Sequence, residues 1–488
     1  MSVAASGVEF DLGNLLAAGR RWTAAAAAFR RHLARAPGHA EAHFNLANAL
    51  AAAGEPGAAV ESYLACLRIS PLYGPAHVNL AQTLRRLGFL DHARALAETA
   101  VRILPANPDA HTCRAGLCFD LGAYADAEAA YRAALALAPR HAGALTSLGN
   151  VLQATGRLTE ARAVQEAACV LAPADADAHF NLATTLLAAG EFARGWEEYE
   201  WRLRRRTEIA RDLGPAWSGE PLAGRTLLLH AEQGLGDTLQ FVRYVPLAAA
   251  RGGLVVLEVQ PPLARLLAGV EGVAEVVSQG ETLPPHDLQL PLLSLPRVFG
   301  TTLETVPAAI PYLPVAPAAV ARWRERCPSP PGRRVGLVWA GGGHPEDIGA
   351  HLIDRRRSLP PAALAPLGAI GGVAFVSLQK DAAERPAALA LLDPMGQVRD
   401  FADTAAVVGG LDLVIAVDTA VAHLAGALGR EVWLLSRYDG CWRWLAGRAD
   451  TPWYPAMRLY HQKRPGDWAE VIARVAADLA AWAARPPG

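Results

Sequence analysis

Proline and glycine recur through the first half of this 488-residue chain at one fixed spacing. Pro37, Pro71, Pro105, Pro139 and Pro173 are each 34 residues apart, and Gly54, Gly88, Gly122, Gly156 and Gly190 keep the same step. Glycine permits a left-handed turn at a helix end, and proline cannot continue a helix. The period therefore predicts helix, glycine turn, helix, proline, repeated along the chain. Such units cannot bury an apolar face alone and must stack on their neighbours.

A 34-residue unit of this kind is the tetratricopeptide pattern. The phase gives about six repeats, at 8–41, 42–75, 76–109, 110–143, 144–177 and 178–209. Ala-His-Phe-Asn-Leu-Ala at 42–47 opens a first helix, Tyr63 and Leu67 pack from the second, and Pro71 ends it. The first repeat is irregular: Gly19 falls one residue early, which suits a terminal cap. Asn45, Asn79 and Asn181 share one phase, on the helix expected to line the groove of the solenoid, and Cys113 and Ser147 interrupt them. An amide both donates and accepts, so such a row suits a peptide backbone of any sequence. The simpler alternative is that each Asn bonds a neighbouring carbonyl. The row resembles the asparagine ladder in the tetratricopeptide part of O-GlcNAc transferase, which implies an acceptor protein or peptide in the groove. The repeats also offer a surface for homo-oligomer formation.

Hydrophobic residues make up 52% of the chain and charged residues 19%, which excludes a largely disordered protein. The formal net charge of -1 provides no global attraction to nucleic acid or anionic lipid. Arg204-Arg205-Arg206 reads as a solvated helix end rather than a nucleic-acid patch. No uninterrupted run of about 20 apolar residues suggests a transmembrane helix. The N-terminus lacks the basic and apolar regions of a secretory signal. Cys66, Cys113, Cys118, Cys169, Cys327 and Cys441 form no CxxC pair or zinc spacing, and read as core residues in a reducing cytosol. Lysine occurs only at Lys380 and Lys463, so a lysine beside a motif is of interest.

Of 35 prolines, 27 follow residue 210, and there the helical period gives way to short apolar runs. Thr226–Ala231, Leu254–Val259, Val335–Trp339, Val373–Leu378, Leu413–Val417 and Glu431–Leu435 read as buried parallel strands alternating with helices. A Pro-rich interval divides them. The expected organisation is an α-helical solenoid over 1–209, a Rossmann-like half over 210–316, a linker at 317–332 and a second Rossmann-like half over 333–488. Two such halves facing a cleft make a GT-B architecture, with ligands beyond the carboxyl ends of the strands.

The first strand runs into Ala231-Glu232-Gln233-Gly234-Leu235-Gly236-Asp237-Thr238. Gly234 and Gly236 permit a tight turn into a helix, without the third glycine of a dinucleotide site or the Lys-Ser/Thr of a P-loop. Asp237 is open to two readings, a helix cap and a general base for an acceptor hydroxyl. In the second half, Asp418-Thr419-Ala420 follows a strand, and His423 stands five residues after the Asp. A hydroxyl, helix amides and an imidazole suit a diphosphate. Ala340-Gly341-Gly342-Gly343-His344 follows another strand, and Asp354-Arg355-Arg356-Arg357-Ser358 comes next. The glycines allow phosphate a close approach and the arginines neutralise it. A further strand ends in Ser377-Leu378-Gln379-Lys380, with Lys380 at the cleft edge. Singly, the arginines could be a surface loop, His423 a core histidine and Lys380 a solvated tip; together they favour a binding site.

Gly234-x-Gly236-Asp237 and Asp418-Thr419-x4-His423 resemble the heptosyltransferase-type glycosyltransferases of family 9. With Leu378-Gln379-Lys380, Asp400-Phe401-Ala402-Asp403-Thr404 and Asp450-Thr451-Pro452-Trp453-Tyr454-Pro455, nearly the whole chain resembles bacterial tetratricopeptide-repeat glycosyltransferases. The resemblance implies a cytoplasmic enzyme that inverts the sugar it moves from a nucleotide-diphosphate sugar to a hydroxyl, without a metal or resident cofactor. It implies Asp237 as base, and Thr419, the Ala420 amide and His423 as diphosphate ligands, with Asp418 shaping the loop. Ala420 stands where the family usually has Gly. The family's phosphate-binding Lys has no counterpart, and Arg355 or Arg357 is the expected substitute. The alternative is a repeat scaffold whose second part binds nucleotide sugar without turnover.

Overall fold

The structure is a computed structural model that describes residues 4–205, 211–343, 347–380 and 384–485. Arg206 and His344, quoted above in their motifs, lie outside the described residues.

Six helix pairs occupy the repeat region: α1 (Ala4–Ala18) and α2 (Trp22–Leu33), α3 (Ala40–Ala52) and α4 (Pro56–Ile69), α5 (Gly74–Arg86) and α6 (Leu90–Ile103). α7 (Pro108–Asp120) and α8 (Tyr124–Leu137), α9 (Ala142–Ala154) and α10 (Leu158–Leu171), and α11 (Ala176–Ala188) and α12 (Phe192–Tyr199) complete the series. The five phased glycines all have φ between +76° and +84°, a conformation only glycine adopts cheaply. In the first repeat that position falls on Arg20, at φ +55°. The turn geometry is thus kept where the glycine has slipped to Gly19, at a cost of about 1–2 kcal/mol for a side chain with a Cβ. Ala25, Ala59, Ala93, Ala127 and Ala161, one in each of the first five repeats, are all fully buried, so the paired helices approach closely.

Two further periodic contacts tie the repeats. His43, His77 and His111 each donate from Nε2 to the carbonyl of the preceding repeat proline, Pro37, Pro71 and Pro105, at 2.8–3.0 Å. Asn45 donates to Asn14 at 3.0 Å, and Asn79 to Asn48 at 2.8 Å. The Tyr63 hydroxyl also donates to the Asn48 oxygen, at 2.6 Å. Asn45 and Asn79 therefore link one repeat to the next, and any bound peptide would have to share these amides.

The compact units do not divide at residue 209. One comprises Met1–Leu152, Ala163–Ala174 and Glu346–Ile348; the other comprises Gln153–Arg162, Asp175–Pro345 and Gly349–Gly488. The last repeat is built into the second unit. Trp196 is buried and its indole N–H donates to the Thr301 carbonyl at 3.2 Å. Arg202 is also buried, and donates to Glu232 and Ser294 at 2.7 Å each. A cut at 209/210 would leave these partners without the groups that cover them.

Within that unit, β1 (Thr226–His230), β2 (Leu254–Val259), β3 (Val273–Ser278) and β4 (Leu288–Pro291) form a parallel sheet in the order β3-β2-β1-β4. β5 (Arg333–Val338), β6 (Val373–Ser377), β7 (Leu391–Leu392), β8 (Leu413–Val417), β9 (Glu431–Ser436) and β10 (Met457–His461) form a second parallel sheet, ordered β10-β9-β8-β5-β6-β7. Helices α13 (Leu235–Phe241), α14 (Val245–Ala249), α15 (Ala264–Leu267) and α16 (Leu295–Val298) accompany the first sheet. Helices α17 (Pro317–Arg326), α18 (Ile348–Arg357), α19 (Phe401–Gly409), α20 (Ala420–Ala427) and α21 (Trp468–Ala483) follow. The interval 317–332, expected as a linker, thus opens with α17, whose Trp323 is buried. Pro317 sits at the start of that helix, where its missing N–H costs nothing.

In the second sheet the chain runs β5, β6, β7 to one side and then returns to place β8 on the other side of β5. Such a reversal leaves a crevice beyond the carboxyl ends of β5 and β8. The two sheets share one hydrophobic core. Arg243 of the first half is buried there, donating to the Trp453 carbonyl at 2.8 Å and to the Tyr312 hydroxyl at 3.0 Å.

Candidate functional site

The crevice is occupied by a cleft of about 550 Å³. Its walls come from the loop after β1, the loops after β5, β6 and β8, and the turn after β9. Asp237, Gly234, Gly236, Gly341, Arg357, Gln379, Lys380, Asp418, Thr419, Ala420 and His423 all line it. Arg355 does not, and is exposed. Residues two apart on a helix point to nearly opposite sides, so α18 can turn only one of Arg355 and Arg357 inward.

α13 and α20 meet at the cleft with their N-termini. A Cβ on Gly236 would lie 2.9 Å from the His423 ring and 3.5 Å from the Ala420 backbone. Only glycine allows this approach. His423 is 4% exposed, stacks on Trp444 and shares a 3.0 Å hydrogen bond between Nδ1 and the Tyr454 hydroxyl. Burial pushes its pKa down to about 3; Arg443, Arg243 and Arg357 push the same way, and Asp418 opposes them. The imidazole is therefore neutral near pH 7, and it meets a ligand as a dipole rather than as a cation.

Thr419 is the N-cap of α20, yet its side chain makes no cap hydrogen bond; the hydroxyl donates instead to the Val417 carbonyl at 3.2 Å. Arg357 donates to the Asp418 carbonyl at 3.0 Å and pairs with Asp354. A Cβ on Gly341 would fall within 2.6 Å of both Asp354 Oδ1 and Arg357 Nε, so the glycine loop lies flat against that ion pair. The loop is pinned by two of its own amides, Gly341 to Ser358 at 3.0 Å and Gly343 to Asp354 at 2.9 Å. Gln379 accepts from the Trp339 and Ala340 amides at 3.1 and 2.9 Å; its oxygen thus splints the end of β5. Lys380 is exposed at the rim.

Of the two readings of Asp237, the structure shows the helix cap, and it adds an ion pair. Its Oδ2 accepts from the Gly234 amide at 2.9 Å, the N3-to-N-cap half of a capping box on α13, and Gly234 has no side chain to make the other half. Its Oδ1 is paired with Arg443, on the short turn Trp442–Trp444 after β9. Burial works against the Arg443 charge, but Asp237, Cys441 and Tyr199 together more than offset it and hold the pKa above the usual arginine value. Neither Arg443 nor Arg437, which also lines the cleft and pairs with Asp439 at 2.9 Å, carries a sequence signal. In all, Arg357, Lys380, Arg437 and Arg443 line the cleft against two carboxylates, Asp237 and Asp418. Such a balance favours an anion. Among the described residues, no three His, Cys, Asp or Glu side chains converge as a metal site, and no helix is long and apolar enough to cross a membrane.

A second cavity of about 870 Å³ flanks the loop after β1. Its lining includes His230, Glu232 and Gln233 of that loop, Glu258, Gln289, and Glu200 from the last repeat. Asn181, the third of the asparagine row, is half-buried on α11.

A family model for the tetratricopeptide repeat matches residues 10–73, 78–142, 119–176 and 146–205. Protein FlbA of Caulobacter vibrioides is 29% identical over 322 residues, covering 59% of this chain and 52% of that protein. The chain thus spans about half the length of the curated relative it matches. Among solved structures, a thermophilic tetratricopeptide protein of Thermus thermophilus is 28% identical with a TM-score of 0.33, covering 37% of this chain and 99% of its own. YrrB, a tetratricopeptide protein with an unusual peptide-binding site, is 21% identical with a TM-score of 0.30, covering 38% and 94%. The N-terminal part of the chain is a tetratricopeptide-repeat solenoid, and an α/β region of parallel sheets follows it.

Proposed function

We propose that the protein is a glycosyltransferase of the GT-B type, moving a sugar from a nucleotide-diphosphate donor to a hydroxyl. The observation that carries this reading is the convergence, on one crevice, of a carboxylate from the first half and an anion-binding set from the second. The donor diphosphate would lie along the N-terminal amides of α20, with Thr419, Arg357 and Lys380 around it. Gly341 and Gly342 let it approach the backbone. Asp237 would take the proton of the acceptor hydroxyl. That oxygen forms its bond to the anomeric carbon as the bond from that carbon to the phosphate oxygen breaks, and the electron pair leaves on the nucleoside diphosphate. Attack from the face opposite the leaving group inverts the anomeric centre. No step requires a metal; the cationic side chains and helix amides stabilise the departing charge.

The acceptor hydroxyl would reach Asp237 from the second cavity, whose lining includes Gln233, the residue before Gly234 of the cleft. Tetratricopeptide repeats serve protein–protein contact, so the acceptor is proposed to be a protein recruited by the solenoid. In the first unit, Asn45 and Asn79 would contribute to that recruitment.

One observation favours a second reading, a scaffold that binds nucleotide sugar without turnover: both Asp237 oxygens are already engaged. A thermal-shift panel of nucleotide sugars, followed by a donor hydrolysis assay, decides between them. The transferase reading expects both a stabilising donor and release of nucleoside diphosphate. Stabilisation without release favours the scaffold, and no stabilisation by any member overturns both.

A further inference from the structure

Arg443 is a mostly buried guanidinium with too few acceptors. Its side chain is 11% exposed and its charge sits over the Trp442 ring, 4.4 Å from the centroid. Nη2 reaches Asp237, and Nη1 reaches only the Cys441 sulfur, at 3.2 Å, a weak acceptor. Nε is buried with no hydrogen-bond partner. A buried guanidinium left this way in a native fold calls for an explanation. Arg357, across the same cleft, also has a buried Nε with no partner. Two guanidinium groups thus line one cavity with unspent donors. Asp237, by contrast, does not depend on Arg443 alone, because the Gly234 amide holds its other oxygen.

We propose that Arg443 exchanges partners: in the empty site it holds Asp237, and when donor enters it turns to the diphosphate and frees Asp237 to act as base. This rests on the glycosyltransferase reading above and deepens it. The exchange couples the two halves of the reaction. While the pair holds, both Asp237 oxygens are engaged and neither is open to an acceptor hydroxyl. Turning Arg443 away opens Oδ1, and the diphosphate that draws it away is the leaving group of the same reaction. Asp237 stays in place on the Gly234 amide. Without donor the base remains masked.

The test is calorimetric titration of the full chain with ADP, GDP, UDP, CDP and dTDP, then of three variants with whichever diphosphate binds. Asp237→Asn removes the competitor for Arg443, so binding should tighten by roughly 3- to 10-fold. Arg443→Gln should weaken binding by roughly 10- to 150-fold, the worth of a charge-assisted bond to phosphate. In Asp237→Asn/Arg443→Gln the gain from Asn should vanish, leaving affinity near that of Arg443→Gln. An equal gain from Asn in both backgrounds would mean simple charge repulsion and overturn the exchange. So would wild-type affinity in a folded Arg443→Gln protein, or unchanged or weaker binding in Asp237→Asn. Should Arg443→Gln fail to fold, Asp237→Asn is compared with Asp237→Asn/Arg443→Gln: tightening in the first with a loss of roughly 10-fold or more in the second supports the exchange, and equal affinity of the two ends it. If none of the five diphosphates binds the wild type, the donor reading falls and takes this inference with it; binding without coupling overturns the exchange alone.

Discussion

Gly236 lies directly against the His423 ring, and a methyl group on it would sit 2.9 Å from that ring. This contact sets how closely α13 of the first half and α20 of the second can approach. It places the Asp237 carboxylate and the Thr419 helix end on one cleft. Gly236→Ala should therefore destabilise the fold by about 1–3 kcal/mol through overpacking. Denaturant unfolding measures this, and an unchanged midpoint would show that the helices can part freely.

The cations of the cleft should separate by burial. Arg357 is held by Asp354 and the Asp418 carbonyl, whereas Lys380 is exposed. Arg357→Ala should weaken nucleoside diphosphate binding by roughly 10- to 150-fold at any salt concentration. Lys380→Ala should cost less, and the loss should largely disappear at about 0.5 M salt, where screening is strong. The free nucleoside, lacking phosphates, should bind all three proteins alike. Titration of both ligands at two salt concentrations provides the comparison.

Four strands escape a reading of the sequence, and all four are edges. The six runs recognised as strands, β1, β2, β5, β6, β8 and β9, lie inside their sheets, where both faces are covered and the sequence is continuously apolar. β3, β4, β7 and β10 lie at the sheet edges. β3 carries exposed Ala274 and Glu275, and β10 alternates buried Met457 with exposed Arg458. β7 is only two residues long. The site shows the same division. Asp237 and Thr419 follow interior strands and are marked by their motifs. Arg443 stands on a short turn with no periodicity, and meets Asp237 only because the two halves pack. Arg355 and Arg357 cannot be told apart until the helix phase of α18 is known.

The buried His423 should leave its mark on acid stability. Its pKa falls from about 6.5 to about 3 on folding, so below about pH 6.5 the unfolded chain binds a proton that the folded chain refuses. Its contribution to stability is whole above that pH. It then declines by about 1.4 kcal/mol per unit as pH falls toward 3. His423→Gln should flatten the acid limb of a denaturation series run from pH 7 to pH 4. Burial also lowers the pKa of His230 and His461, but these remain in both proteins and cancel in the difference. Parallel curves would contradict the burial of a neutral imidazole.

Truncation should obey the observed units. Removing residues 1–174 takes only Gln153–Arg162 from the second unit and keeps α11, α12, Trp196 and Arg202 with the sheets they cover, and the product should fold and bind nucleoside diphosphate. Removing residues 1–209 strips that cover from Ser294, Thr301 and Trp453 and should give an aggregating protein. Circular dichroism and size-exclusion chromatography of the two products check this. A soluble, folded 210–488 fragment would show that the last repeat is dispensable.

The most direct test of the account is single-turnover release of nucleoside diphosphate from the matched nucleotide sugar, by the wild type and by Asp237→Asn at saturating donor. The carboxylate is proposed as the base, and its loss should slow turnover by about 100-fold or more. Donor binding should persist, because the cationic side chains and α20 amides are untouched. That pairing of retained binding with lost turnover is the predicted result. Equal rates in the two proteins would reduce Asp237 to the cap of α13 and contradict the central claim.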